Sequence, residues 1–270
     1  MVSRLFLFAL MLFLLAAPSL AEQKQLTLAS TTSTDNSGLF QYLLPLFTAD
    51  TGIAVRVIAV GTGQAIRLGM KGDADILLVH HPESEQRFVS EGYGTRRLKV
   101  MFNDFVLIGP ADDPAAIAGS PDAATALLRI VRTTQGFTSR GDESGTHKAE
   151  RALWLAAGHL PDARVERWYR ETGAGMGATL NTAVDLNAYV LSDRATWLGF
   201  ANKRGHRVLF EGDPRLFNQY AVIPVNPLRH PHVRAEAADE FAEWLVSTAG
   251  QTAIASFRIH NSQVFHPNAD

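Results

Sequence analysis

The sequence predicts an α/β protein of two lobes, each a mixed or parallel sheet flanked by helices, with two strands forming the hinge between them. Three observations lead there. Short β-branched runs alternate with amphipathic helical stretches through the first third of the chain. Loops rich in hydroxyls and glycine stand where those runs end. A middle block with its own helices is bracketed by two extended runs, 104–109 and 220–225, as expected where one lobe is inserted into another.

The N-terminus stands apart from this pattern. Arg4 and an apolar run over 5–17 precede Pro18-Ser19-Leu20-Ala21, and a polar break follows at Glu22-Gln23-Lys24. The run is too short to span a bilayer, and Ser19 and Ala21 are the small residues of a signal-peptidase site. Cleavage after Ala21 and export are therefore expected. The chain contains no cysteine, which excludes disulfides, thiolate metal sites, a cysteine nucleophile and a lipid anchor at the cleavage point. No later stretch has the length of a membrane helix, so a monomer free in a periplasm, with no direct membrane anchor, is the expectation.

The hydrophobic content, 46%, suffices for one large core or two smaller ones. A formal net charge of −2 argues against nucleic acid or an anionic membrane surface as partner. It leaves a small anion open, because local dipoles govern a buried site.

Taken in order, strands are expected at 26–29, 54–60 and 75–79, with helices at 36–47 and 64–70 between them. In such βαβ units a ligand sits at the carboxyl ends of the strands, beside helix N-termini. Ser30-Thr31-Thr32-Ser33-Thr34 and Gly61-Thr62-Gly63 occupy those positions. The middle block reads as helices over 121–133, 143–157 and 178–186. Beyond the second extended run come a helix over 235–247 and a tail. The expected division is a signal peptide at 1–21, a first lobe of 22–107 plus 222–270, and an inserted second lobe of 108–221.

The segment Phe137-Thr138-Ser139-Arg140-Gly141-Asp142-Glu143-Ser144-Gly145-Thr146-His147 carries the most chemistry. A strand runs into a loop with one fixed cation, and Ser144, Gly145 and Thr146 open a helix. A helix start offers free N–H groups and a partial positive charge. Gly145 permits close backbone approach, Ser144 and Thr146 add hydroxyls, and Arg140 supplies a charged two-pronged donor. A plain N-cap with a surface ion pair explains this segment alone, but not the two other hydroxyl loops at strand ends. Gly173-Ala174-Gly175-Met176-Gly177-Ala178 resembles a dinucleotide fingerprint without the apolar strand that must precede one. It reads better as a loop entering a helix at Thr179, another wall of the same pocket. His80-His81 ends a strand, and no converging set of metal ligands accompanies it. The remaining histidines, His206 among them, read as surface or turn residues, and no metal or cofactor is expected.

These motifs, in this order, resemble the periplasmic tungstate-binding proteins of ABC importers. The likeness rests on Ser30 to Leu39, Val60-Gly61-Thr62-Gly63-Gln64-Ala65, Gly72 to His80, Asn103-Asp104-Phe105-Val106, Ser139 to His147, Gly175 to Leu180 and Ser192-Asp193-Arg194. It implies the type II periplasmic-binding-protein fold, with an oxyanion clamped between lobes and delivered to an importer permease with its cytoplasmic ATPase. It also implies that Arg140 and Thr146 contact the oxyanion from one lobe, and Thr31, Thr32, Ser33 and Thr62 from the other.

A tetrahedral dianion offers only acceptors, so its site should offer only donors. Tungstate is the expected ligand, with molybdate of nearly the same size and charge. Phosphate, protonated near neutral pH, would be selected by a carboxylate in the pocket, for which Asp142 and Asp75 are candidates. A reading of another class is a hydrolase built on Asp142, Ser144 and His147. One helical turn makes it hard for that trio to assume triad geometry, and no sharp Gly-x-Ser-x-Gly turn is present.

Overall fold

The computed structural model describes residues 24–269; the expected leader and its cleavage after Ala21 lie outside the described residues. The first unit is β1 (Gln25–Thr31), α1 (Thr32–Asn36), α2 (Leu39–Thr51), β2 (Ala54–Val60), α3 (Thr62–Lys71), β3 (Ile76–Val79) and α4 (Pro82–Ser90). The β2 run alternates Val, Ile and Ala without a breaker and forms over the whole expected span. The helix expected at 36–47 is instead two. Ser33 to Asn36 belong to a short first helix, and the chain turns at Gly38, whose φ of 83° suits a residue without a Cβ.

β4 (Leu98–Pro110) follows, then α5 (Ala123–Thr133), β5 (Phe137–Ser139), α6 (Gly145–Ala156), β6 (Tyr169–Glu171), α7 (Met176–Asp185), β7 (Tyr189–Asp193), α8 (Arg194–Gly199) and β8 (His206–Phe210). β9 (Phe217–Pro224), α9 (Ala235–Val246) and α10 (Thr248–Ser256) complete the chain's larger elements. The stretch expected as a tail after 247 therefore begins with a helix. Ser247 closes α9 and caps α10, its hydroxyl accepting the Gly250 N–H at 3.3 Å.

Strand order is β2-β1-β3-β9-β4 in the first sheet, where β1 runs parallel to β2 and β3, and β9 antiparallel to β3 and β4. β4 then passes into the second sheet, pairing antiparallel with β7 and β8, while β7, β5 and β6 run parallel. The change of partner falls between Asp104, opposite Phe217, and Phe105, opposite Asp193. The run expected at 104–109 is thus the second half of a longer strand common to both sheets. Tyr220–Pro224 pair inside the first sheet.

Each sheet has apolar cores on both faces. Leu26, Leu28, Phe47, Phe241 and Leu245 fill one side of the first, and Leu77, Val79, Phe88 and Ile223 the other. Leu107, Ile130, Phe137 and Trp154 fill one side of the second, and Val106, Leu180 and Val190 the other. Phe47 meets Phe241 edge-on at 4.8 Å, and burying such a ring stabilises the fold by about 1.5–3 kcal/mol. His206 is buried on β8, with its Nε2 3.2 Å from the Ala188 carbonyl, and is not the surface residue expected.

A candidate oxyanion site

The carboxyl ends of β1, β2, β3 and β5 deliver Thr31, Thr62, His80 and Arg140. At β1 the expected hydroxyl loop is mostly helix. Thr31 is the N-cap of α1, and its Oγ1 accepts the Thr34 N–H at 3.3 Å. That oxygen also lies 3.1 Å from Ser33 Oγ and 2.7 Å from Thr34 Oγ1. The hydroxyls here largely bond one another, and Thr32 is half-buried beside them.

Thr62 opens α3 after Gly61. Its side chain is fully buried, and its Oγ1 has no hydrogen-bond partner. Thr146, in the first turn of α6, is buried with an equally unpartnered Oγ1. Ser144 caps α6 by accepting the His147 N–H at 3.3 Å, and its carbonyl takes the Lys148 N–H at 2.9 Å. The N–H groups of Gly145 and Thr146 have no acceptor within their own helix, as at any helix start.

Arg140 is only 4% exposed. One arm of its guanidinium donates to Asp142 Oδ2, and Asp142 Oδ1 accepts the Ser144 N–H at 3.2 Å. Asp142 therefore braces the arginine against the helix cap, while Arg140 Nε is left buried without a partner. Asp193, beneath, caps α8 through Thr196, at 2.9 Å to its N–H and 2.6 Å to its hydroxyl. Burial pushes its carboxyl up, and hydrogen bonds from Thr196 and the charge of Arg140 oppose that. Asp75 is remote from these groups. It accepts the backbone N–H of Thr27 at 2.7 Å and of Arg234 at 2.8 Å, and so ties strand to loop.

Gly145 shows how closely the two sheets' loops meet. A Cβ there would lie 2.9 Å from Thr62 Oγ1 and 2.8 Å from the His80 ring, so only glycine fits. Two open clefts lie away from this cluster. One of about 390 Å³ is walled by Ser120, Phe210 and Arg215, and one of about 750 Å³ by Lys24, Pro231 and Arg234.

Thr179 is buried inside α7, which starts at Met176, two residues before the expected 178–186 span. Its hydroxyl is taken by Thr172 Oγ1 at 2.8 Å and the Gly175 carbonyl at 3.1 Å, so it steadies the start of α7 and presents no free donor. His80, set aside in the sequence because no converging metal ligands accompany it, belongs to this cluster. Burial holds its ring at a pKa of about 4, so it is neutral, and its Nδ1 lies 2.9 Å from Asn218 Oδ1.

The chain's relatives bear on this arrangement. Residues 17–249 match the family model of the PBP superfamily domain. The tungstate-binding protein TupA of Peptoclostridium acidaminophilum is 46% identical over 246 residues, covering 90% of this chain and 85% of that protein. This chain belongs to the TupA family of the PBP superfamily. TupA of Campylobacter jejuni is 36% identical, with 86% of this chain and 87% of that protein covered. Among solved structures, the tungstate-binding protein TupA of Desulfovibrio alaskensis matches with a TM-score of 0.80 and 46% identity, over 92% of this chain and all of that one. The tungstate ABC transporter structure from Geobacter sulfurreducens matches at 0.79 and 42%, over 86% and 98%. The fold is the type II periplasmic-binding-protein arrangement.

TupA relatives are named for binding, not catalysis, and the local geometry agrees. Ser144 Oγ serves the His147 backbone, while His147 Nδ1 accepts the Glu143 N–H at 3.1 Å, so serine and imidazole are not paired. Among the described residues no group of three or more metal-binding side chains converges, and no helix is long and apolar enough to cross a membrane.

Proposed function

We propose that this protein binds a tetrahedral oxyanion, tungstate first, between its two lobes and delivers it to an ABC importer. One observation carries the reading: Thr62 Oγ1, Thr146 Oγ1 and Arg140 Nε are buried donors without partners. A buried polar group left unsatisfied costs about 1–3 kcal/mol, and three together imply a partner made of acceptors. The first-turn N–H groups of Gly145 and Thr146, with Ser144 as their cap, add the dipole of α6. In this reading Thr62, Arg140 and Thr146 are direct ligands, and Thr31, Thr32 and Ser33 line the opposite wall. Thr179 holds the start of α7 in place.

A fully deprotonated dianion suits the site better than protonated phosphate. The latter needs a free acceptor, and Asp142 already has both oxygens engaged, by Arg140 and by the Ser144 N–H. Molybdate meets the same donors with the same charge and is the expected second ligand. The lobes, expected from sequence at 22–107 with 222–270 and 108–221, are proposed to divide instead at Asp104–Phe105 and before Phe217, because β9 pairs wholly within the first sheet. The protein is proposed to act as a periplasmic monomer after cleavage at Ala21, with the importer permease and its ATPase as partners and no resident cofactor. Calorimetric titration with tungstate, molybdate, sulfate and phosphate tests the reading. Tight binding of the first two and weak binding of the others is expected; preference for phosphate overturns it.

A further inference from the structure

Behind the His80–Asn218 contact stands a second buried amide that takes no part in the site as described so far. Asn103 on β4 and Asn218 on β9 stand directly opposite each other, each under 4% exposed. Asn218 Nδ2 donates to Asn103 Oδ1 at 2.6 Å and to the Tyr220 hydroxyl at 3.3 Å, and its Oδ1 faces His80 Nδ1 at 2.9 Å. An amide has one acceptor end and one donor end, so this chain assigns every orientation. With the Asn218 oxygen as acceptor, the neutral His80 ring carries its proton on Nδ1. Turning Asn103 over would set its NH2 against the NH2 of Asn218. Its oxygen is thus committed inward, and its Nδ2, fully buried, has no partner. The Tyr220 hydroxyl accepts from Asn218 and lies near Asn103 as well, but no hydrogen bond of normal geometry joins it to Asn103 Nδ2.

The position of this orphaned donor gives it meaning. Asn103 sits immediately before the switch of pairing at Asp104 and Phe105, on the strand common to both sheets. The His80 ring at one end of the relay is the surface on which Gly145 closes, beside Thr62. At the other end Tyr220, stacked on His80 at 4.7 Å, reaches Thr34 of the α1 hydroxyl cluster. Through Asn218 and Tyr220 the amide is thus linked both to His80, beside the starts of α3 and α6, and to Thr34 in α1. A polar side chain that only braced two strands would have both ends satisfied, as Gln219 does with Met101, Tyr220 and Asn268.

We infer that Asn103 is a further ligand-binding residue, its Nδ2 donating to the oxyanion from the cleft floor in an orientation set by His80 and Asn218. The inference rests on the oxyanion reading above and adds a donor from the hinge strand to those from the two lobes. Asn103→Asp tests it with almost no change of shape: the oxygen bonded to Asn218 stays, and the donor becomes an anionic acceptor facing a dianion. Asn103→Ala removes the donor without adding charge. Titration with tungstate, together with ligand-free melting of each variant, is expected to show affinity weakened about tenfold in Asn103→Ala and a hundredfold or more in Asn103→Asp. Should Asn103→Asp fail to fold, Asn103→Ala decides alone. A variant that melts lower but keeps the parent's tungstate affinity overturns the inference, for the amide is then only a brace. A parent that binds none of the four anions overturns the oxyanion reading itself, which is a separate outcome.

Discussion

The two hydroxyl clusters at the cleft look alike in sequence and differ in what they leave over. At the end of β1, Thr31, Ser33 and Thr34 bond one another and cap a five-residue helix. At the starts of α3 and α6, Thr62 and Thr146 are buried with nothing to bond, and Arg140 Nε shares that condition. A hydroxyl-rich run is therefore a poor guide to a ligand by itself. The better guide is a group of buried donors left without partners around one point, because a shared acceptor would offset their cost together.

The comparison can be broken in four ways. The largest effect is expected at Gly145, where any Cβ would lie 2.9 Å from Thr62 Oγ1 and 2.8 Å from the His80 ring. Gly145→Val should weaken tungstate binding more than a hundredfold, because Thr62 and His80 must shift away from the start of α6 to admit the side chain. An unaltered affinity would show that closure does not bring these residues together.

Arg140→Gln comes next. It keeps some donor capacity and removes the charge, so affinity should fall at least tenfold, with Arg140→Lys between it and the parent. If the role of Arg140 is only to pair with Asp142, titration will instead find parental affinity and a small loss of thermal stability.

The ground beneath Arg140 supplies a third test. Glu150 on α6 is buried, and its Oε1 accepts the Tyr169 hydroxyl at 2.7 Å and the Trp154 indole N–H at 3.2 Å. Burial raises its pKa from 4.5 to about 7 against the pull of those bonds. The folded state holds this proton more tightly than the unfolded one. Its stabilisation is full below the unfolded value of 4.5 and is lost as pH rises to about 7. Glu150→Gln keeps the acceptor oxygen and should flatten that decline, raising stability near pH 8 by about 1–2 kcal/mol. Melting curves across the range check it, and an unchanged slope removes Glu150 as its source.

The smallest effect separates the two clusters directly. Thr62→Ala and Thr146→Ala should each weaken tungstate binding several-fold with little change in ligand-free melting. Thr31→Ala should mainly cost stability, about 1 kcal/mol, because it removes a helix cap. Equal losses of affinity at Thr31 and Thr62 would erase the distinction drawn between them.

Much of the fold was legible because its strands are short and apolar. Residues 54–60 declared themselves by four β-branched residues with no Gly or Pro among them, and Pro82 at the start of α4 sits where a helix tolerates proline. The first half of β4 was not legible, since Lys99 and Asn103 interrupt the apolar run that marks a buried strand. The polar residues at the switch of pairing have partners that the sequence does not place beside them: Asp104 holds Arg194 at 2.7 Å, and Asn103 accepts from Asn218 at 2.6 Å. Arg140 and the start of α6 could be read from a contiguous motif. The relay from His80 could not, because Asn218 lies 138 positions away and becomes a neighbour only when β9 returns beside β3 and β4. The α1 hydroxyls were read as loop because Ser and Thr favour turns and caps equally, and only the Thr31 cap geometry distinguishes the two.

β4 contributes hydrogen bonds to both sheets, with the change of partner inside a single uninterrupted strand. Two separate apolar cores would ordinarily melt as two events. Here, loss of order in either sheet strips bonds from a strand that the other needs, and Arg194 reinforces the junction by gripping Asp104 on one side and Glu211 on the other. The protein should therefore unfold in one cooperative transition, with calorimetric and van't Hoff enthalpies in agreement, despite having the anatomy of two bodies.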